Sequence, residues 1–210
     1  MEKEHWKAGN MLYPVPVVMV SCGRKGEKPN IITVAWAGTI CSDPAMVSIS
    51  IRKERFSHDI IKDTKEFVIN LVNKKLVRAT DFCGVKSGRE VDKFAEARLT
   101  PQESQKVDVP GIEESPLNIE CQVVEVKELG SHDMFIAKVV GVTVDDQYLD
   151  DKGKFNLNAS GLVSYSHGEY FELGKKLGSF GYSVKKNTNK KKHTSAPVRK
   201  GKGSDKGKKK

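Results

Sequence analysis

The chain lacks most of the patterns that identify common protein classes at sight. It has four cysteines in 210 residues: Cys22, Cys41, Cys83 and Cys121. No two are spaced C-x-x-C, and no histidine cluster accompanies them. That argues against a structural zinc site and against a thioredoxin-type motif. Cys22, Cys83 and Cys121 read as small buried hydrophobes, reduced in a cytoplasm. No apolar run approaches the roughly 18 residues that suggest a membrane-spanning helix. The first ten residues, MEKEHWKAGN, are charged and contain no apolar signal core, so the expected location is cytoplasmic. G-x-S-x-G, H-E-x-x-H and the Walker G-x-x-x-x-G-K-[ST] are absent, and no hydrolase constellation takes their place. G-x-G-x-x-G is missing as well, so a Rossmann nicotinamide domain is not expected.

What is present divides into a body and a tail. Hydrophobic residues make up 38% of the chain. Mean hydropathy is −0.47, which fits a soluble protein. The formal charge of +9 is unevenly placed. Residues 184–210 hold 12 Lys+Arg against one Asp, a charge of +11, so residues 1–183 carry −2. The tail has no apolar periodicity and too little hydrophobic surface to offset the entropy of ordering, so it reads as disordered. Residues 1–183 read as one domain. A flexible polycation can bind nucleic-acid phosphates without sequence preference, and this is the alternative function for the chain. A bland reading stands beside it, in which the tail only aids solubility. No aromatic residue follows Tyr182, which argues against base stacking by the tail.

The richest stretch of the body is Asn30 to Ser57. Ile31, Ile32, Thr33 and Val34 open it as a strand. Asp43-Pro44 turns the chain. The strand that follows has two unlike faces. Val47, Ile49 and Ile51 point one way, while Ser48, Ser50 and Arg52 point the other. Ser57 is then read as the N-cap of a helix, with Asp59 in its first turn and Phe56 stapled to Ile61. A helix N-terminus beside a serine/arginine face suits a phosphate. The same face also suits plain solvation, as in many antiparallel sheets.

Elsewhere, Val15–Cys22 reads as a strand buried on both faces, and residues 23–29 as the turn of a hairpin into Asn30. A short helical lead-in is read at Trp6–Tyr13. Glu66–Val72 reads as a strand and Lys74–Cys83 as a helix ending at Gly84. Ser87 and Glu90 match a capping box, with Val91, Phe94 and Ala95 facing inward. Leu99–Ser115 reads as a loop. From Leu117 to Leu129 the alternation slips phase, which predicts a β-bulge near Val123–Val124. Gly130–Asp133 is a tight turn, and Phe135–Val144 returns as a second hairpin strand. Leu162–Tyr165 reads as a further short strand.

The pieces NIITVAWAG, C-x-DP-x-MVSISIRKERFS, SGREVDKF and YFELGKKLGSFGY, in that order, resemble the flavin reductase-like family, and within it the flavoredoxin type. The resemblance runs from about Pro14 to about Lys185. It implies a mostly β fold, an FMN-binding split β-barrel with a few short α-helices. It implies non-covalent FMN and the transfer of electrons from NADH, NADPH or a redox protein to flavin, ferric iron or another redox protein. Ser50, Arg52 and Ser57 are then expected on the phosphate side. Thr33, Val34, Ala35 and Trp36 are expected along the ring system, and Asn30, Lys93 and His132 at ribityl or ring atoms. Tyr165 becomes an aromatic neighbour and Cys41 a candidate thiol near the cofactor. His132 is the one candidate catalytic residue, cationic beside a reduced flavin if its pKa stays near the ordinary value of about 6.5. The family also implies a homodimer, which would cover the edge strands of an open barrel.

Overall fold

The apolar strand read at Val15–Cys22 is broken after two residues. β1 is Val15–Pro16 and β2 is Val18–Cys22. β2 is buried throughout because it faces two cores. Val18, Val20 and Cys22 pack inside the barrel with Ile49, Phe67 and Phe135. Met19 faces outward, into a second cluster with Leu76, Cys83, Phe94 and Ile112. The remaining strands of the body are β3 (Asn30–Val34), β4 (Ala37–Ser42), β5 (Ala45–Arg52), β6 (Glu66–Leu71), β7 (Pro101–Gln102), β8 (Gly111–Ile112), β9 (Leu117–Leu129), β10 (His132–Val144), β11 (Val163–Ser166) and β12 (Glu169–Glu172). The computed structural model describes residues 1–185. Met1–Gly174 form one compact unit. Within the second unit, a single 3₁₀ turn at Tyr182–Val184 is described. The basic tail beyond Lys185, and the nucleic-acid reading that rests on it, lie outside the described residues.

Seven strands form one antiparallel sheet in the order β3-β2-β6-β9-β10-β5-β4. The sheet curls until its ends meet. β3, at one end, comes into contact with β5, beside the other end. The curl has the local cause that the phase slip suggested. Ile136 faces Glu125 and Ala137 faces Val123, leaving Val124 as the extra residue of a bulge. A second irregularity at Val139/Gly141 bends the same hairpin again. Two smaller sheets, β1-β11-β12 and β7-β8, complete the strands.

Three short α-helices sit against this frame: α1 (Phe56–Thr64), α2 (Val77–Val85) and α3 (Lys93–Glu96). Several local readings are corrected here. The N-cap of α1 is Arg55, with no side-chain cap, so Ser57 lies inside the first turn. Asp92, not Ser87, caps α3, accepting from the Ala95 amide at 3.2 Å. Ser87 instead closes a turn by accepting from the Arg89 amide. α2 continues through Gly84 to Val85. Trp6–Tyr13 contains no helix. The 99–115 loop is held by buried polar side chains. Asn70 Oδ1 accepts from the Ile112 amide, and the buried Glu120 carboxylate accepts from the amides of Gln105 and Lys106. Those bonds satisfy backbone groups that a loop packed on a sheet would otherwise bury unpaired. Among the described residues, no helix is long and apolar enough to cross a membrane.

Candidate functional site

Two adjoining clefts open where β3, β5 and β10 meet the helices. The larger, of about 380 Å³, is lined along one side by Thr33, Val34, Ala35 and Trp36. Ser50, Arg52 and His132 line another side, and Tyr13, Tyr165 and Tyr170 a third, with Asp81, Gly84 and Val85 contributed by α2. The strand register explains the grouping. His132 pairs directly with Arg52 across β10 and β5, on the polar face that the alternation of β5 exposes. A two-residue bend, Ala35-Trp36, separates β3 from β4 and forms the edge of the cleft.

The smaller cleft, of about 310 Å³, shares Ile32 and Arg55 with the first. It holds the other three expected residues, Asn30, Ser57 and Lys93. Arg55, Lys86 and Arg89 place three cations around it, at the N-terminal end of α1. Asn30 Nδ2 donates to Ser57 Oγ at 2.8 Å, which leaves the serine hydroxyl hydrogen available to a ligand. Gly88 packs directly on that pair. A Cβ at residue 88 would collide with the Asn30 carboxamide. Arg89 stacks over the Phe56 ring at 5.1 Å and donates to the Glu54 carbonyl. A helix N-terminus with unsatisfied amides and three nearby cations has the chemistry of an anion site.

Lys93 is not a solvated helical lysine. It is 4% exposed, and its Nζ donates to the carbonyls of Ile31 and Cys83, each at 2.7 Å. It therefore ties β3 to the last turn of α2, where a cation is favoured. Burial lowers its pKa below the usual lysine value. The third ammonium hydrogen has no protein partner among the described residues and can face the cleft.

The larger cleft is aromatic on one side. Tyr13 lies 6.2 Å from Trp36 and 6.4 Å from Tyr165, ring centre to ring centre. Tyr165 meets Tyr170 edge-on at 5.7 Å, and the Tyr170 hydroxyl donates to Asp81. Burial, with Asp81 beside it, pushes the Tyr170 phenol up to about 12. His132 is half-buried. Desolvation, and then the nearby Arg52, lowers its pKa, which favours the neutral ring and works against the expected cation. Arg52 is exposed, 3.6 Å from Glu54.

All the expected residues except Cys41 thus line one cleft or the other, but the phosphate trio is divided. Ser50 and Arg52 line the aromatic cleft, and Ser57 lines the basic one. Arg55, Lys86, Gly88, Arg89, Asp81, Tyr13 and Tyr170 were not foreseen. Ser-Gly-Arg at 87–89 reads as the start of a capping box; its turn and its nearness to Ser57 are tertiary. Cys41 sits beside the β4–β5 turn, with Sγ near the Asp43 carbonyl, and lines neither cleft.

Residues 10–174 match the family model described as flavin reductase like domain. The chain belongs to the flavin reductase-like family. Within it, the resemblance is to flavoredoxins. The flavoredoxin of Desulfovibrio vulgaris (Miyazaki F) is 32% identical, with a TM-score of 0.81 over 88% of this chain and 100% of that one. The flavoredoxin of Methanosarcina acetivorans is 26% identical, with a TM-score of 0.78 over 88% of this chain and 100% of that one. The FMN-binding protein of Thermus thermophilus is 25% identical, with a TM-score of 0.71 over 85% of this chain and 99% of that one. The fold of this flavin reductase-like chain is accordingly the split barrel that its sequence resemblance implied.

Proposed function

We propose that this flavoprotein binds FMN across the two clefts and carries electrons as a flavoredoxin-type oxidoreductase. The observation that carries the reading is the pairing of a basic pocket at a helix N-terminus with a contiguous aromatic slot. The residues present fit the group. The pocket of Arg55, Lys86, Arg89, Ser57 and the α1 amides suits a phosphate monoester. The slot between Thr33–Trp36 and the Tyr13/Tyr165 side suits a flat ring system. Likeness to flavoredoxins and to an FMN-binding protein supports the choice of flavin.

In this reading, Ser57 and the surrounding cations hold the phosphate, and Asn30 orients Ser57. Lys93 fixes β3 against α2 and turns its free hydrogen to the ligand. Trp36 and the backbone from Thr33 form the rim of the ring site. Ser50 and Arg52, which line the aromatic cleft, would offer the ligand a hydroxyl and a cation there. His132, neutral at rest, would accept or supply a proton from its place in the lining of the aromatic cleft. Bound FMN supplies the one- and two-electron chemistry. The donor is NADH, NADPH or a redox protein, and the acceptor is a flavin, ferric iron or a second redox protein.

We further propose a homodimer. Ile40 on the edge strand β4, with Trp6, Met11 and Leu12 of the lead-in, is exposed in the single chain. An unpaired edge with apolar neighbours is a surface that proteins cover.

The test is a visible absorption spectrum of the purified protein, with added FMN or FAD and then NADH or NADPH. A flavin spectrum that FMN restores and reduced nicotinamide bleaches supports the reading. Bleaching by dithionite alone redirects the donor to a protein. Retention of FAD in preference to FMN replaces the cofactor. A protein that takes up neither flavin refutes the proposal.

A further inference from the structure

One buried charged cluster lines neither cleft. His58 on α1 is 4% exposed and Asp133 on β10 is 1% exposed. His58 Nε2 lies 2.9 Å from Asp133 Oδ2, and Nδ1 lies 2.9 Å from Asp59 Oδ1. On the other side of Asp133, Lys53 Nζ stands 3.3 Å from Oδ1. The same ammonium is 3.3 Å from Glu128 of β9. Phe135 meets the imidazole edge-on at 5.5 Å. The charged groups around the ring are therefore Asp59 from α1, Asp133 from β10, and Lys53 with Glu128 beyond it.

Both ring nitrogens face carboxylate oxygens. An imidazole bearing hydrogen on both nitrogens donates to both, whereas a neutral ring leaves one carboxylate opposite a lone pair. Bonds to charged groups in a buried setting are strong, and losing one partner leaves the other unpaired. The cluster's place in the chain gives it a further consequence. His58 directly follows Ser57 and is three residues beyond Arg55. Asp133 directly follows His132, which pairs with Arg52. The His58–Asp133 bond thus ties the helix end that forms the basic cleft to the strand edge that forms the aromatic one.

We propose that His58 is a positioning residue whose two bonds, to Asp59 and Asp133, hold the N-terminal turn of α1 in register with the β5–β10 edge and so set affinity for a ligand phosphate. The inference rests on the FMN reading above. A role confined to general stability would weaken every flavin alike. A role in placing Arg55 and Ser57 weakens ligands that carry the phosphate more than those that lack it.

The experiment compares FMN with riboflavin, which lacks the phosphate, on the full-length protein and on His58→Gln. Glutamine can donate to only one of the two carboxylates. Flavin fluorescence gives both dissociation constants. The expected result is about a tenfold loss for FMN, the size of one charge-assisted bond, with riboflavin weakened by less than about threefold. Equal losses for both ligands, or no loss, overturn the proposal. If His58→Gln does not fold, ring-nitrogen NMR of the unsubstituted protein replaces it. Binding of FMN must then move the His58 ring-nitrogen resonances more than binding of riboflavin does, because the coupling is reciprocal. Equal shifts, or none, overturn it. Failure of the unsubstituted protein to bind either flavin instead removes the FMN reading itself.

Discussion

Replacing Lys93 by methionine is the sharpest test of how the site is built. Methionine keeps much of the length and apolar stem of lysine and removes the ammonium. Two backbone carbonyls, of Ile31 and Cys83, then lose donors that now stand at 2.7 Å. An unsatisfied buried acceptor costs about 1–3 kcal/mol, and relief of the buried charge offsets part of the sum. A net loss of about 2–4 kcal/mol follows from those two terms. For a chain of this size, each kcal/mol moves the melting temperature by about 2–4 °C, so the expected fall is roughly 4–15 °C. The assay is thermal unfolding of the apoprotein, so that flavin affinity does not enter. Lys93→Arg offers donors in a fixed fork and should rescue only part of the loss. A melting temperature for Lys93→Met within about 2 °C of the unsubstituted protein would refute the claim that Lys93 clamps β3 to α2.

Three further outcomes are expected. Gly88→Ala drives a methyl against Asn30 and Phe56. It should cost about 1–3 kcal/mol of stability and weaken FMN binding, both readable by denaturation and flavin titration. Ser57→Ala should reduce FMN affinity by about tenfold, and Arg52→Ala by less, because Arg52 is exposed; equal and unchanged affinities would remove both residues from the site. Burial acts to raise the Asp133 pKa, but hydrogen bonds from His58 and Lys53 prevail and hold it below the ordinary 3.8. Its contribution to stability is therefore complete above pH 3.8 and is lost as pH falls through the lower folded value. Asp133→Asn should flatten that acid-side slope in urea midpoints taken across the range.

Much of the barrel could be read from residue order because strands advertise burial locally. The alternation of Val47, Ile49 and Ile51 with Ser48, Ser50 and Arg52 appears unchanged in the burial of β5. The phase slip at Val123–Val124 became a bulge at Val124. Helix ends were read less well. Ser57 has the chemistry of a cap, but its hydroxyl is engaged by Asn30, a partner 27 residues away. Ser87 and Glu90 have capping-box spacing, yet the helix starts later, at Asp92, where Lys93 can reach two carbonyls. In both places a long-range bond prevailed over a local signal.

β7 and β8, inside the stretch read as a loop, and β12 were not legible in the sequence. The sequence by itself determined most of the barrel strands, their buried faces, the two hairpins and the family. Those follow from side-chain periodicity and turn chemistry within a few residues. Only the tertiary structure decided which polar residues share a cleft. Curling of the sheet brings β3 against β5, and packing of the 87–89 turn brings Gly88 and Arg89 to Asn30 and Ser57. It also decided that His58 and Asp133, unremarkable in a helix and at a turn, form a buried hydrogen-bonded pair. Such partners are 75 residues apart in the chain, and no local pattern encodes a contact that exists only once the barrel has closed.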